Sequence, residues 1–409
     1  MIEIIPIDTP SLGDRSYVAH DGSVAVVIDP QRDIDRVQAV TDAAGVRITH
    51  VFETHIHNDY VTGGFALAER TGAAYHVNAD DPVSFERVGI RDGDEIAVGD
   101  RMRIRVIATP GHTYTHLSYA LADGDEQVGV FTGGSLLFGS TGRPDLLGPD
   151  HTHTLVHHQY ASAHRLASEL PEDARVLPTH GFGSFCSATQ ASADRSTIGI
   201  EKAENPALTQ PEEEWVADLL DGLDAWPAYY AHMAPANSAG PGAPDLSEPE
   251  QADKNTLRRR IEAGEWVVDI RNRVAFAAGH VPGTFNFGLD GQFATYLGWL
   301  IPWGTPLTIL ANTPREVAEA QRELVRIGIE QLESAGTGAP SDWTEATLAT
   351  YPRATFEQLR DVRHHRPVTI LDSRRRLQRP PGPTHDAVPT PPHHPLHRPN
   401  RHRWRSRWS

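Results

Sequence analysis

Between residues 54 and 60 the chain reads Thr54-His55-Ile56-His57-Asn58-Asp59-Tyr60, with three potential metal ligands in five residues. The apolar stretch before it, from Val46 to Glu53, reads as a buried strand. Gly63-Gly64 and the run from Phe65 to Arg70 after it read as the start of a helix. The ligand stretch is therefore expected in a loop at a strand's C-terminal end, where alternate imidazoles can be aimed at one ion. Imidazole and carboxylate are ordinary ligands for zinc and iron. In a chain with 22 histidines a polar surface turn can carry such residues by chance, so the surrounding pattern has to decide.

That pattern repeats. Strands are expected at residues 3–6, 16–20 and 25–30, with Asp21-Gly22 as a hairpin turn, and a helix at 35–43. The alternating run Arg103 to Ala108 delivers the chain to Thr109-Pro110-Gly111-His112-Thr113. Val128 to Phe131 leads into Thr132-Gly133-Gly134-Ser135, followed by Gly142-Arg143-Pro144-Asp145. After a helix expected at 155–170, Arg175 to Leu177 ends at Pro178-Thr179-His180-Gly181. Three strand ends thus carry histidine, and layered α/β folds build sites where such loops converge. His55, His57, Asp59, His112 and His180 form one candidate metal constellation.

The bulk composition narrows the partners. A length of 409 residues implies two or three domains, and 39% hydrophobic with 22% charged residues is globular. A net charge of −17, with the arginines clustered at the C-terminus, argues against nucleic acid or an anionic membrane as the main partner. The single cysteine, Cys186, excludes an intramolecular disulfide framework and thiolate zinc clusters. No signal-like N-terminus or membrane-length apolar run is present, and a cytoplasmic location is expected.

The His-x-His-x-Asp stretch, with later histidines in Pro-Gly-His112 and Pro-Thr-His180-Gly contexts, resembles the metallo-β-lactamase superfamily over residues 1–240. Thr-Pro-Gly-His112-Thr, Phe131-Thr-Gly-Gly-Ser-Leu, Gly142-Arg-Pro-Asp145 and His180-Gly-Phe-Gly-Ser-Phe-Cys186 are similar to its persulfide dioxygenase branch, related to glyoxalase II. The resemblance implies an αββα sandwich and one Fe(II) per chain, with Zn(II) as the alternative. It also implies oxidation of a small thiol persulfide by O2 to sulfite. Two positions depart from the family. Tyr60 stands where the motif ends in histidine, and Gly134 where Thr-Gly-Asp supplies a carboxylate. His55, His57 and His112 then remain as a three-histidine face, with Asp59 as a further ligand or base. Asp59 and Tyr60 are the catalytic candidates. By resemblance Arg143 and Asp145 shape the substrate loop.

The segment from Glu201 to Gly240, with Tyr229 and Tyr230, resembles the extension closing that domain, and residues 241–255 read as a linker. Residues 256–345 resemble a rhodanese-like doubly wound α/β domain, on Asp269-Ile-Arg271 and Gly279-His280-Val-Pro-Gly283. Its active-site loop, Ala311-Asn312-Thr313-Pro314, has no cysteine, and the thiolate is what that chemistry requires. Residues 352–375 resemble the start of a second such domain, with a strand at 368–372. Residues 376–409 are a Pro/His/Arg-rich stretch expected to be disordered, and the abrupt change suggests a reading-frame slip near residues 373–380. The functional expectation is a persulfide dioxygenase-like enzyme, with a second copy of the chain or a sulfurtransferase as its expected protein partner. The alternatives are a zinc thioester hydrolase of glyoxalase II type and a persulfide-binding pseudoenzyme.

Overall fold

Strands that alternate or run wholly apolar in the sequence become the two sheets of a sandwich. The computed structural model describes residues 1–188, 193–330, 332–365 and 367. The first sheet contains β1 (Glu3–Thr9), β2 (Asp14–His20), β3 (Val24–Ile28), β4 (Arg47–Phe52), β5 (Ala74–Asn78) and β6 (Val88–Ile90), in that spatial order. β3 to β6 pair in parallel, and β3, buried at every position, shows why its sequence is continuously apolar. The second sheet has the order β12-β11-β10-β9-β8-β7. Its members are β7 (Glu95–Val98), β8 (Met102–Ala108), β9 (Leu117–Asp123), β10 (Glu126–Gly133), β11 (Arg175–Pro178) and β12 (Ser196–Thr197).

Between the sheets lies a core that includes Tyr17, Val26, Ile28, Phe52, Ile104, Val106, Leu121 and Phe131. Helices Asp35–Ala44 and Gly64–Thr71 cover the outer face of the first sheet through Val37 and Leu67. Helix Pro149–Glu169 covers the second through Val156 and Leu166, joined by Trp215. The expected αββα layering is present. β4, β8, β10 and β11 all deliver their C-terminal ends to one edge, where the ligand-bearing loops meet.

A third sheet follows in the order β13-β17-β16-β14-β15 and is parallel throughout. It consists of β13 (Glu250–Gln251), β14 (Trp266–Asp269), β15 (Phe285–Asn286), β16 (Leu307–Ala311) and β17 (Leu332–Thr337), interleaved with helices such as Phe293–Leu300 and Pro314–Arg326. The stretch expected as a linker, 241–255, carries β13 and the start of helix Lys254–Glu262. Asp253 begins that helix early by accepting the Thr256 N–H at 2.7 Å.

Met1–Leu359 form one compact unit and Arg360–Ser409 a second, so the expected domains 1–240 and 256–345 belong to the same unit. One apolar core joins them: Tyr60, Val61, Cys186, Tyr229 and Met233 pack with Leu297, Ile301, Leu324 and Ile327. Tyr229 and Tyr230 are buried in it. Within the stretch expected to open a further domain, residues 352–375, a helix runs over Phe356–His365. The expected strand at 368–372 and the stretch 376–409 lie outside the described residues.

Candidate metal centre

Four imidazoles meet at the sandwich edge, and in each one nitrogen is fixed from outside. His55 Nδ1 lies 2.9 Å from Thr54 Oγ1, which itself donates to Asp29 Oδ2 at 2.7 Å. His112 Nδ1 donates to the Arg143 carbonyl at 2.8 Å, and His180 Nδ1 to Asp14 Oδ1 at 2.9 Å. For these three rings Nε2 is left as the ligand atom, with His55 Nε2 and His180 Nε2 3.4 Å apart. His57 is fixed the other way round. Its Nε2 meets the Tyr60 hydroxyl at 3.0 Å, Asp29 Oδ1 at 3.3 Å and Glu53 Oε2 at 3.3 Å, which leaves Nδ1. Outer partners of this kind select the tautomer and aim of a metal-binding histidine.

Among the described residues, three groups have donor atoms within 4.8 Å of one another; Asp29, Glu53 and His57 meet at the His57 nitrogen already engaged by Tyr60, and two ligand groups remain: His55, His112 and His180, and His57, Asp59 and His180. All of these residues are buried. His112 Nε2, His57 Nδ1 and Asp59 Oδ1 have no hydrogen-bond partner, a costly arrangement in a protein interior unless a cation satisfies them. The donor set fits a transition-metal ion. The three-histidine face includes His180, where the sequence reading had His57, and His180 is the residue common to both groups.

The electrostatics favour a cation as well. Burial alone would lower His180, but the carboxylates of Asp59 and Asp14 raise it to about 10. His57 is likewise raised to about 9, because Asp29 and Glu53 outweigh burial. Burial and the neighbouring Asp59 carboxylate push Asp14 up to about 7. Asp59 itself is opposed by burial yet held well below the carboxylate range by His180, His57 and His112. Burial and then the His180 charge lower His112 to about 3, so its Nε2 lone pair stays available.

The other expected site residues lie in definite places. Tyr60 is fully buried, and its hydroxyl also points at the Asp29 carbonyl, 3.3 Å away. It stands behind His57, on the side away from Nδ1. The Arg143 guanidinium is fully engaged: it grips Asp145 at 2.6 and 2.8 Å and the carbonyls of Phe185 and Asp224 at 3.2 and 2.6 Å. What Arg143 gives the centre is its carbonyl. Gly134 lies so close to the His112 ring that a Cβ there would meet Cδ2 at 2.5 Å.

Several contributors escaped the sequence reading. Asp29 directly follows β3 with φ +49°, the one non-glycine residue at positive φ among the described residues, and accepts the Thr54 N–H at 2.7 Å and the Thr179 hydroxyl. Such backbone strain persists only where surrounding contacts hold it. His116 stacks on His55 with ring centroids 5.0 Å apart, and its Nε2 accepts the Gly134 N–H at 3.0 Å. Asn237, from helix Tyr230–Ala239, donates to the carbonyls of His57 and Tyr60 at 2.9 and 2.8 Å and accepts the Thr62 N–H at 2.9 Å.

Comparison with known proteins bears on the family and the fold. The model of the metallo-beta-lactamase superfamily matches residues 14–180. A hydroxyacylglutathione hydrolase of Polaromonas is 32% identical over 39% of this chain and 57% of its own length, so little more than half of that protein is shared. The human mitochondrial persulfide dioxygenase ETHE1 is 31% identical over 50% of this chain and 72% of its own. Among solved structures, a metallo-beta-lactamase from Staphylococcus aureus superposes with a TM-score of 0.73 at 26% identity, covering 82% of this chain and 98% of that one. ETHE1 from Myxococcus xanthus gives 0.50 at 30% identity, covering 58% and 98%. The chain belongs to the metallo-β-lactamase superfamily. The Staphylococcus likeness covers a share that the first 240 of 409 residues cannot supply, so it extends into the third sheet.

Proposed function

We propose that the chain is a persulfide dioxygenase-type enzyme that binds one Fe(II) and acts on a small thiol persulfide. The balance is RSSH + O2 + H2O → RSH + SO3²⁻ + 2 H⁺. The observation that carries this reading is the ligand count. Tyr60 uses its hydroxyl on His57 Nε2 and the Asp29 carbonyl, and Gly134 offers no carboxylate. A second, fully ligated ion of the two-zinc hydrolytic kind therefore lacks donors. His55, His112 and His180 would hold the ion, with Asp59 and His57 beside it. Bound Fe(II) would supply the one-electron chemistry that lets O2 react. The chain's own residues fix the imidazoles and keep Asp59 ionised, and Tyr60 packs in an apolar core with Leu12, Phe185, Cys186 and Tyr229. Tyr60 acts as a positioning residue for His57.

The third-sheet unit is read as rhodanese-like without sulfur transfer. Besides lacking cysteine, its β16 loop has the N–H groups of Asn312 and Thr313 taken by the Glu316 carboxylate at 2.7 and 3.1 Å, the amides that would otherwise cradle a sulfur anion. The rival reading, a zinc thioester hydrolase, draws on the comparable identity to the Polaromonas hydrolase. Among the described residues no helix is long and apolar enough to cross a membrane, and a cytoplasmic setting with no nucleic-acid partner is part of the proposal.

Metal analysis of anaerobically purified protein, followed by oxygen uptake with glutathione persulfide, tests it. One iron per chain with persulfide-dependent uptake is expected. Two tightly held ions per chain, or zinc with thioester turnover and no oxygen uptake, would overturn it.

A further inference from the structure

The ligand loop is held from outside its own sheet. Arg326, the last residue of helix Pro314–Arg326, is 5% exposed and acts at both ends. Its carbonyl accepts the Val61 N–H at 2.7 Å, and its guanidinium donates to Asp33 Oδ2 at 2.7 Å. Val61 directly follows Tyr60, whose hydroxyl meets His57. Asp33 lies four residues beyond Asp29, whose carboxylate meets His57 and Thr54. The two loops are tied to each other as well: Gln31 bridges Thr62, and the Thr62 hydroxyl and Gly63 N–H both donate to the Pro30 carbonyl, at 3.1 and 2.8 Å. Arg322 adds a two-point contact to Asp35 at 2.7 and 2.8 Å, and Arg32 pairs with Glu330.

A ligand set works only if its loop stays within about 0.5 Å of the binding geometry, and loops open more readily than the elements they join. The β16 loop of the third-sheet unit has no cysteine, and its Asn312 and Thr313 amides are taken by Glu316. What that unit does present to the ligand loop is Arg326, alongside the apolar packing of Leu297, Ile301, Leu324 and Ile327.

We propose that the cysteine-less third-sheet unit is a positioning module for the metal-ligand loop, acting through the contacts of Arg326 with Val61 and Asp33. This rests on the metal-centre reading above. The module is a built-in brace: its contribution appears as retention of the ion and protection of residues 55–63, beyond any effect on overall stability.

Three full-length variants test it. Arg326→Met removes the guanidinium and keeps the helix. Arg326→Lys keeps the charge. Leu257→Ala opens the separate core of Leu257, Val267, Val281, Leu310 and Trp343 and serves as a control of comparable thermal destabilisation. Hydrogen exchange of residues 55–63 is measured on metal-free protein, and loss of bound zinc to a chelator on loaded protein. Arg326→Met is expected to accelerate both by about tenfold, corresponding to about 1.4 kcal/mol. Arg326→Lys should recover part of the loss, and Leu257→Ala should leave both near the parent. Parental loop exchange in Arg326→Met, or equal acceleration in Leu257→Ala, would overturn the proposal. If the parent retains no ion, the metal reading fails, while the exchange measurement still decides the bracing role.

Discussion

His180 is the residue on which the centre turns, because it belongs to both ligand groups and its Nδ1 is held by Asp14 and, at 3.2 Å, by Asp59. His180→Ala should therefore lower metal retention at least as much as His112→Ala, each by tenfold or more, on the order of the loss for disturbing a metal's supporting shell. Chelator competition on the two variants measures it, and a markedly smaller loss in His180→Ala would contradict the shared-ligand geometry. Gly134→Asp, which the sequence alone suggests as a repair of the missing carboxylate, meets the His112 ring at 2.5 Å from its Cβ. We expect that variant to lose metal affinity through displacement of His112. Tighter ion binding in Gly134→Asp would show that the ring yields. The five ligand candidates were legible because histidine at successive strand ends is a pattern along the chain. Asp14, Asp29 and His116 were not. Each is a single residue whose meaning comes only from a neighbour distant in sequence, such as Asp14 from His180.

At the scale of elements, strand and helix positions followed from apolar alternation, as in β8, while the ends and ties of elements did not. Helix Tyr230–Ala239 reads in sequence only as an aromatic-bearing extension, yet it sends Asn237 to three backbone groups of the ligand loop. Asn237→Leu would leave the His57 and Tyr60 carbonyls and the Thr62 N–H buried without these partners, at about 1–3 kcal/mol for each group so stranded. Thermal unfolding should fall by several degrees and metal loss accelerate; unchanged values for both would remove Asn237 from the support of the loop. β4 and β5 pose a different question. His76 is 3% exposed, stacked 4.3 Å from Phe52 and 5.3 Å from His50, and neither ring nitrogen has a partner. Burial, and then His50, lower it to about 4. An unfolded imidazole takes up a proton near pH 6.5, which folded His76 refuses until about pH 4, so stability present above pH 6.5 is lost as pH falls. His76→Leu should be more stable than the parent, by a margin that grows by up to about 3 kcal/mol between pH 8 and pH 4. Urea midpoints at those two pH values measure the margin, and a constant one would exclude His76 as its source.

For the molecule as a whole, composition and linker-like sequence suggested two or three domains, and the structure joins residues 1–240 and 256–345 through a shared apolar core and a charged seam. The seam could not be read from sequence. Asp33, Arg322 and Arg326 are ordinary surface residue types, and only the fold places Asp33 at 0% side-chain exposure between Arg326, Arg36 and Arg322. Burial would raise the Asp33 carboxyl, but the hydrogen bond and charge of Arg326, and then Arg36, outweigh it and hold it below its usual value of 3.8. A carboxyl depressed in the folded state stabilises fully above its unfolded pKa, and that contribution is lost as pH falls through the folded value. Asp33→Asn removes the contribution and leaves Arg326 paired with Glu323 at 2.6 Å, so the cost at neutral pH is that of one buried charged hydrogen bond, about 1.5–3 kcal/mol. The gap between parent and variant should then be wide at pH 7 and narrow as pH drops below about 4, because the parent forfeits there what the variant already lacks. Denaturant unfolding of the full chain at pH 7 and pH 3.5 provides the comparison. A gap of equal size at both would mean that Asp33 contributes by packing alone, and the seam would then be geometric rather than electrostatic in origin.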